Sequence, residues 1–289
     1  MLPNLLIIGA QKCGTTSLHR YLKLHPEVSM SVPKELDFFV VPDERVLPVG
    51  NWSRGLDWYR SHFTEQTRVR GETSPNYTVY PFAEGVAERA ASVVPDAKII
   101  YLVRDPIDRI VSHYLHRVEQ GEERRPLDDA LADINGEGPG MTLVYRSMYF
   151  MQIERWTRCF PGTSVLVLAQ EDLKAERAAT LVRVFRFLGV DPSFSHEGFE
   201  ARSNVSLAKR PPTRAGAWLR RERRGAVARA MPARLRRRAA SVVEAFGGSP
   251  VERRPVVSDA RREQLEGLLG QDADRLRAFT GHSFPTWSV

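Results

Sequence analysis

Three short apolar runs, each followed by apolar residues at helical spacing, recur along the first two thirds of the chain. The runs cover residues 5–8, 97–103 and 164–170, and each ends at a glycine or at charged residues. Such runs are typical of buried strands that enter loops. Because buried strands that alternate with helices form parallel sheets covered on both faces, the pattern predicts a three-layer α/β domain.

Helical segments are predicted after each strand, at residues 15–24, 106–119 and 175–188. The second is the best marked, because Asp105 is a favourable N-cap and Pro106 a favourable first helical residue. After residue 189 the composition changes to an irregular loop, 191–213, and then to an arginine-rich helical region. We therefore predict a core at residues 1–213 and a basic helical C-terminal extension at 214–289, packed on the core and ending in a helix at 258–279.

Charge is unevenly distributed. The net charge is +7, and residues 209–238 hold twelve Lys or Arg against one acid, Glu222. Without that window the chain is close to neutral, which argues against a general nucleic-acid binder and favours a protein without a nucleic-acid partner. The arginines form a solvated helix face by default, with peripheral contact to an anionic membrane through residues 209–238 as the alternative.

Cysteine count and hydropathy bear on the cellular setting. Cys13 and Cys159 are too few for a disulfide framework, so we expect both to be reduced. No apolar run reaches the roughly 20 residues needed to cross a bilayer, and the first residues lack the basic region of a signal peptide. These features lead us to expect a cytoplasmic protein.

A glycine-containing loop with a lysine and three hydroxyls joins the first predicted strand to the first helix. It reads Gly-Ala-Gln-Lys-Cys-Gly-Thr-Thr-Ser and covers residues 9–17. Backbone N–H groups at such a helix start form an anion site. A nucleotide kinase or NTPase places its lysine directly after the second glycine, whereas Lys12 lies two positions before Gly14. The simplest alternative is a strand–helix turn without a ligand.

The loop resembles the 5′-phosphosulfate loop of sulfotransferases that use 3′-phosphoadenosine-5′-phosphosulfate (PAPS), in the branch similar to heparan-sulfate sulfotransferases and their bacterial relatives. The resemblance implies a P-loop-like α/β fold and transfer of a sulfuryl group to an acceptor hydroxyl or amine, releasing the bisphosphate nucleotide PAP. It gives Lys12 the role of stabilising the departing 5′-phosphate. It implies donor contacts from the rest of the loop, namely Cys13, Gly14, Thr15, Thr16 and Ser17.

A second anion pocket is expected for the 3′-phosphate of PAPS. Arg104 stands at the carboxyl end of the second predicted strand, where open α/β sheets bind ligands, although a helix cap with a surface arginine would produce the same residues. The family motif resembles Arg-[Asp/Asn]-Pro with a serine eight residues after the arginine, and Arg104 and Ser112 match it. The resemblance also implies a nucleotide-covering loop near 202–211, in which Lys209 and Arg210 add to phosphate binding; a solvated linker is the alternative.

Glu35 is the candidate general base. In the resembling family a glutamate three residues before a Phe-Phe pair deprotonates the acceptor, and Glu35 has that spacing. From residues alone, a cap or a surface ion pair with Lys34 is an equally good interpretation. Cytosolic small-molecule sulfotransferases use a histidine instead, for which His62 and His113, together with His116, are formal candidates.

One departure from the family concerns residues 71–77, where glycan-modifying members carry a lysine and this chain has Thr73. A second catalytic lysine and a heparan-like acceptor are therefore in doubt. Sulfuryl transfer does not require a metal, and the sequence shows no metal-ligand spacing. The prediction is a PAPS-dependent sulfotransferase acting on a small-molecule, glycan or lipid acceptor; the alternatives are a P-loop kinase or NTPase and a non-catalytic basic anion-binding module.

Overall fold

The computed structural model describes residues 1–43, 47–132, 140–200 and 254–289. Its centre is a five-stranded sheet of order β2-β3-β1-β4-β5, in which every neighbouring pair is parallel. The strands are β1 Leu5–Gly9, β2 Val28–Met30, β3 Val69–Thr73, β4 Lys98–Val103 and β5 Val165–Ala169.

In the described ranges at least one α-helix follows each strand. The helices are α1 Thr15–Leu22, α2 Gly55–Arg60, α3 Val86–Val93, α4 Pro106–Gln120, α5 Leu127–Ala130, α6 Met141–Tyr145, α7 Tyr149–Thr157, α8 Gln170–Ala175, α9 Arg177–Leu188 and α10 Asp259–Thr280. Short 3-10 turns cover Trp52–Arg54, Pro75–Tyr77, Gly162–Ser164 and Glu197–Glu200. No helix in the described ranges is long and apolar enough to cross a bilayer.

Burial explains why the strands read as continuous apolar runs. All five residues of β1 and the last five of β4 are buried. Consecutive strand residues point to opposite faces, so both faces of the sheet are covered. Aromatic side chains join the same core, in which Tyr59, Tyr149 and Trp156 are almost fully buried.

The chain divides into two compact units. The first holds Met1–Arg109, Thr142–Ser203 and Glu263–Val289, and the second holds Ile110–Met141 and Asn204–Arg262. The first contains the whole sheet. In the second, the Tyr114 hydroxyl donates to the Arg125 carbonyl at 2.8 Å, and Asp128 accepts the backbone N–H of Ser258 at 3.4 Å. The predicted boundary at residue 213 lies outside the described residues.

Most elements expected from sequence are confirmed. The three predicted strands are β1, β4 and β5, and the predicted helices correspond to α1, α4, α9 and α10 within a few residues. Asp105 caps α4 as predicted, because its Oδ1 accepts the N–H of Asp108 at 2.7 Å. The sequence reading missed β2 and β3, which are short and contain polar residues.

Candidate active site

The phosphate loop, residues 9–17, joins the carboxyl end of β1 to the start of α1. It turns through two left-handed residues, Lys12 with φ 73° and Gly14 with φ 94°. Gly14 occupies the N-cap, where it offers no side chain to the first turn, and its carbonyl accepts the N–H groups of Ser17 and Leu18 at 3.0 and 3.1 Å. An uncapped first turn leaves its leading N–H groups facing outward, the arrangement that binds anions.

Gly9 has a different reason for being glycine. It combines φ 155° with a close approach, since a Cβ at this position would lie 2.2 Å from the Thr78 hydroxyl. That hydroxyl donates to the Ile8 carbonyl at 3.2 Å, so Thr78 cannot easily retreat. The start of the loop is therefore fixed by steric fit.

Cys13 faces the interior rather than a ligand. Its side chain is fully buried, its Sγ lies 3.6 Å from the Tyr149 hydroxyl, and burial raises the pKa of the thiol to about 11. The thiol therefore anchors the loop in the core, and of Cys13 only the backbone is left to bind a ligand. The side chains of Lys12, Thr16 and Ser17 are part-exposed, whereas Thr15 is buried.

Arg104 lies at the same edge of the sheet as the phosphate loop. It follows β4, the parallel neighbour of β1, so both strands deliver their following residues to one edge. The side chain is 7% exposed, and its terminal NH2 nitrogen donates to Asp108 at 2.7 Å. Its Nε has no hydrogen-bond partner among the described residues. A buried, partly unsatisfied guanidinium suits an anionic ligand.

Ser112, predicted to share the 3′-phosphate with Arg104, is buried on α4 and belongs to the second unit. The predicted pair therefore stays a prediction. Lys209 and Arg210 lie outside the described residues. Among those that are described, no three His, Cys, Asp or Glu side chains converge so as to hold a metal ion.

The base loop, residues 34–39, carries Glu35. The Glu35 side chain is 50% exposed and forms an ion pair with the ammonium group of Lys34. Its backbone is left-handed with φ 67°, as is that of Asp37 with φ 46°. Such values are uncommon for residues with a side chain and persist where the surroundings impose them.

The support segment, residues 72–77, imposes that conformation. The Thr73 carbonyl accepts the N–H of Glu35 at 3.0 Å, and the Ser74 hydroxyl accepts that of Asp37 at 3.0 Å. The Tyr77 hydroxyl accepts the N–H of Phe38 at 3.0 Å and, more weakly, that of the next residue at 3.4 Å. The base loop is thus hydrogen-bonded to the carboxyl end of β3 and the turn after it.

Glu72 supports this arrangement from below. It is fully buried and accepts the hydroxyl proton of Tyr77, while burial raises the pKa of the carboxyl to about 8. At neutral pH the carboxyl is therefore mostly protonated. A neutral acceptor under Tyr77 avoids placing a charge in the core while orienting the hydroxyl toward the base loop.

Thr73, which stands where glycan-modifying members of the family carry a lysine, has a structural contact. Its hydroxyl lies 3.0 Å from Nδ1 of His19, which projects from α1. Burial, aided by the positive charges of Lys34 and Lys23, lowers the pKa of His19 to about 4, so the ring is neutral at physiological pH. Thr73 therefore joins the helix behind the phosphate loop to the strand behind the base loop.

The histidine candidates lie elsewhere. His62 Nδ1 is 2.8 Å from the Trp58 carbonyl, and its ring stacks edge-on against the Trp58 indole. His113 and His116 belong to the second unit, where His116 lies 3.6 Å from Glu119. The partners of His62 and His116 are typical of residues with a structural role.

A buried polar chain that sequence reasoning missed runs between the two loops. Arg146 donates to the Gln11 side-chain carbonyl at 3.3 Å and to that of Asn76 at 3.1 Å, and Asn76 donates to Asp37 at 3.2 Å. Burial raises the pKa of Asp37 to about 6. Arg146 belongs to no recognised motif and no motif connects the four residues, so only the tertiary structure identifies the arrangement.

The parallel sheet, the anion loop after β1 and the buried arginine after β4 define a P-loop-like α/β protein with a site for phosphate- or sulfate-bearing ligands. The sequence pattern of the sulfotransferase domain matches residues 2–210, so the chain belongs to the sulfotransferase domain family. The family that the two motifs predicted is thereby confirmed.

Relatives extend the comparison. The human bifunctional heparan sulfate N-deacetylase/N-sulfotransferase 3 is 33% identical over 220 residues, which cover 68% of this chain and 24% of that protein. The chain thus spans about a quarter of the length of the curated relatives it matches. A sulfotransferase from Alicyclobacillus acidocaldarius shares the fold with a TM-score of 0.71, 24% identity and full coverage of both chains. A mouse sulfotransferase complexed with PAP gives a TM-score of 0.51 at 15% identity, covering 98% of this chain and 89% of that one.

Proposed function

We propose that the chain transfers a sulfuryl group from PAPS to a hydroxyl or amine. One observation carries the proposal: three candidate segments meet the carboxyl ends of three adjacent strands at one edge of the sheet. The base loop is hydrogen-bonded to the end of β3, the phosphate loop follows β1, and Arg104 follows β4. Neighbouring strands lie about 4.8 Å apart, so acceptor base, 5′-phosphosulfate site and second phosphate site succeed one another along a short line.

The donor is held at both ends in this proposal. The N–H groups of the phosphate loop and Lys12 bind the 5′-phosphosulfate, and Arg104 binds the 3′-phosphate, with Ser112, Lys209 and Arg210 as further contributors. Gripping the two ends fixes the sulfur atom in line with the acceptor, which is the main requirement of such transfers.

Transfer then needs one proton acceptor and one stabilised leaving group. The acceptor oxygen or nitrogen forms a bond to sulfur while the bond between sulfur and the 5′-phosphate oxygen breaks. Glu35 takes the acceptor proton, and Lys12 with the loop N–H groups stabilises the charge left on the phosphate of PAP. The half-exposed position of Glu35 supports this role, because an acceptor can reach it without rearrangement of the core.

The proposed acceptor is a small molecule, glycan or lipid, and the proposed location is cytoplasmic. A heparan-like chain is not favoured, because Thr73 is committed to His19 and carries no charge. Peripheral contact with an anionic membrane would involve residues 209–238, which lie outside the described residues.

Glu35→Gln tests the proposal. We expect transfer from radiolabelled PAPS, assayed with extract of the source organism as acceptor, to fall by about 10²- to 10⁴-fold with little change in PAP binding by calorimetry. Asp57→Asn, at a fully exposed carboxylate, serves as the matched control. Equal loss of PAP binding and transfer would refute the base assignment, and binding of ATP with Mg²⁺ in preference to PAP would refute the donor.

A further inference from the structure

Arg146 lies between the two loops that the proposed reaction uses. It is 7% exposed, and its two terminal nitrogens point to different partners, Gln11 at 3.3 Å and Asn76 at 3.1 Å. Gln11 immediately precedes Lys12 in the phosphate loop. Asn76 belongs to the support segment of the base loop, and its amide donates to Asp37 at 3.2 Å.

A guanidinium suits this location because it is a rigid planar fork. Holding two side-chain carbonyls with one such fork fixes their relative position, and a buried charged donor makes stronger hydrogen bonds than a neutral one. Asp37, the last residue in this series of hydrogen bonds, is also constrained. Its backbone is left-handed, and the positive charge of Arg146 acts on its carboxyl group. Displacement of Gln11 would therefore be transmitted to the backbone two residues after Glu35.

We propose that Arg146 is a positioning residue that couples donor binding to placement of the acceptor base. The inference rests on the proposed function. In it, the Gln11–Arg146–Asn76–Asp37 chain sets the separation between Lys12 and Glu35, so that loading of the phosphate loop and alignment of Glu35 occur together. Arg146 itself touches neither donor nor acceptor.

A double-mutant cycle at the two ends of the fork tests the coupling without removing Arg146. Gln11→Ala and Asn76→Ala each remove one partner of a charged donor, and we expect each to lower kcat/KM for PAPS by about tenfold. Because either change loosens the same guanidinium, the double variant should lose little more than the worse single variant. A loss equal to the product of the two, about 100-fold, would show independent sites and overturn the proposal.

The affinity for PAP distinguishes coupling from a local structural role of Asn76, because a purely local role would leave that affinity unchanged. Asn76 lies on the base side, so an effect at the donor site has to pass through Arg146. We expect Asn76→Ala to weaken PAP binding in calorimetry by about fivefold, at the lower end of typical coupling between sites. Unchanged PAP affinity would contradict the inference. Failure of the unmodified protein to bind PAP at all would instead contradict the proposed function.

Charge and geometry are separated by Arg146→Lys. The ammonium keeps the positive charge but cannot hold two carbonyls as a planar fork, so we expect kcat to fall by about tenfold with the folded state retained in thermal unfolding. Arg158→Lys is the matched control, since Arg158 lies just after α7 with its side chain 61% exposed. Full activity in Arg146→Lys would overturn the proposal. Should that variant fail to fold, the cycle at Gln11 and Asn76 still decides.

Discussion

The phosphate loop and the base loop reach the same edge of the sheet by different means. The phosphate loop turns on its own backbone hydrogen bonds, which span three or four residues, and distant segments contact it mainly through Ala10 and Cys13. The base loop is held by groups about 38 residues away, such as Ser74 and Tyr77. The first is therefore a local structure that a short motif can specify. The second exists only when two distant segments meet.

This difference has energetic consequences. The left-handed residues of the base loop, Glu35 and Asp37, cost of order 1–3 kcal/mol each and depend on outside support. In the phosphate loop, glycine takes two of the left-handed or strained positions at little cost. Changes at Ser74 and Tyr77, which bond directly to the base loop, should thus act mainly on that loop, whereas changes in the phosphate loop should act on donor binding directly.

After Glu35→Gln, the largest expected effect is that of Lys12→Ala. Loss of the charge that stabilises the departing phosphate should lower kcat by about 10³-fold and weaken PAP binding as well. Steady-state transfer assays with calorimetry measure both. Lys23→Ala, at the exposed C-cap of α1, is the control. A Lys12 variant with normal turnover would remove the phosphate loop from the mechanism.

Tyr77→Phe tests the base loop from its support. The change leaves the buried N–H group of Phe38 without its acceptor, at a cost of about 1–3 kcal/mol, and releases the loop. We expect kcat to fall by about 10- to 100-fold with a much smaller change in PAP affinity, whereas Lys12→Ala lowers both strongly. Tyr80→Phe, at a ring stacked under Arg155, should behave like the unmodified protein. Parallel loss of PAP binding would erase the distinction between the loops.

Gly9→Ala tests the steric fit that fixes the start of the phosphate loop against Thr78. The added Cβ would meet the Thr78 hydroxyl at 2.2 Å, so we expect a stability loss of about 2 kcal/mol in chemical denaturation. Gly162→Ala is the matched control, because no atom lies within 4 Å of its added Cβ. Equal stability of the two variants would mean that the loop adapts.

Glu72→Gln changes the pH dependence of stability. Burial raises the pKa of Glu72 from 4.5 to about 8, so the folded protein holds a proton that the unfolded chain releases above pH 4.5. Stability from this group is complete below that pH and is lost as pH rises, at about 1.4 kcal/mol per unit up to pH 8. The glutamine variant lacks this slope, so its advantage in free energy of unfolding should grow steadily from pH 5 to pH 8.

The same denaturation series on Glu200→Gln provides the control, since that side chain is 88% exposed. Parallel pH profiles for Glu72→Gln and the unmodified protein would show that Glu72 is ionised in the folded state. The neutral support beneath Tyr77 would then have to be abandoned.

What the sequence determined by itself is the set of features with short-range causes. Continuous apolar runs identify β1, β4 and β5, because strands buried on both faces need no polar positions. Asp105 and Pro106 mark the start of α4, and the order of glycine, lysine and hydroxyls marks the phosphate loop. Each of these depends on residues within one or two turns of each other, so a linear pattern carries it.

The tertiary structure alone decided the features with long-range causes. β3 was missed because Arg70, Glu72 and Thr73 interrupt its apolar pattern, and buried polar residues are tolerated only where the fold supplies partners, such as His19 for Thr73 and Tyr77 for Glu72. Arg146 likewise has no local signature. A buried polar group is stabilised by whichever partners the fold brings within hydrogen-bonding distance, and that distance is not written in the spacing of residues along the chain.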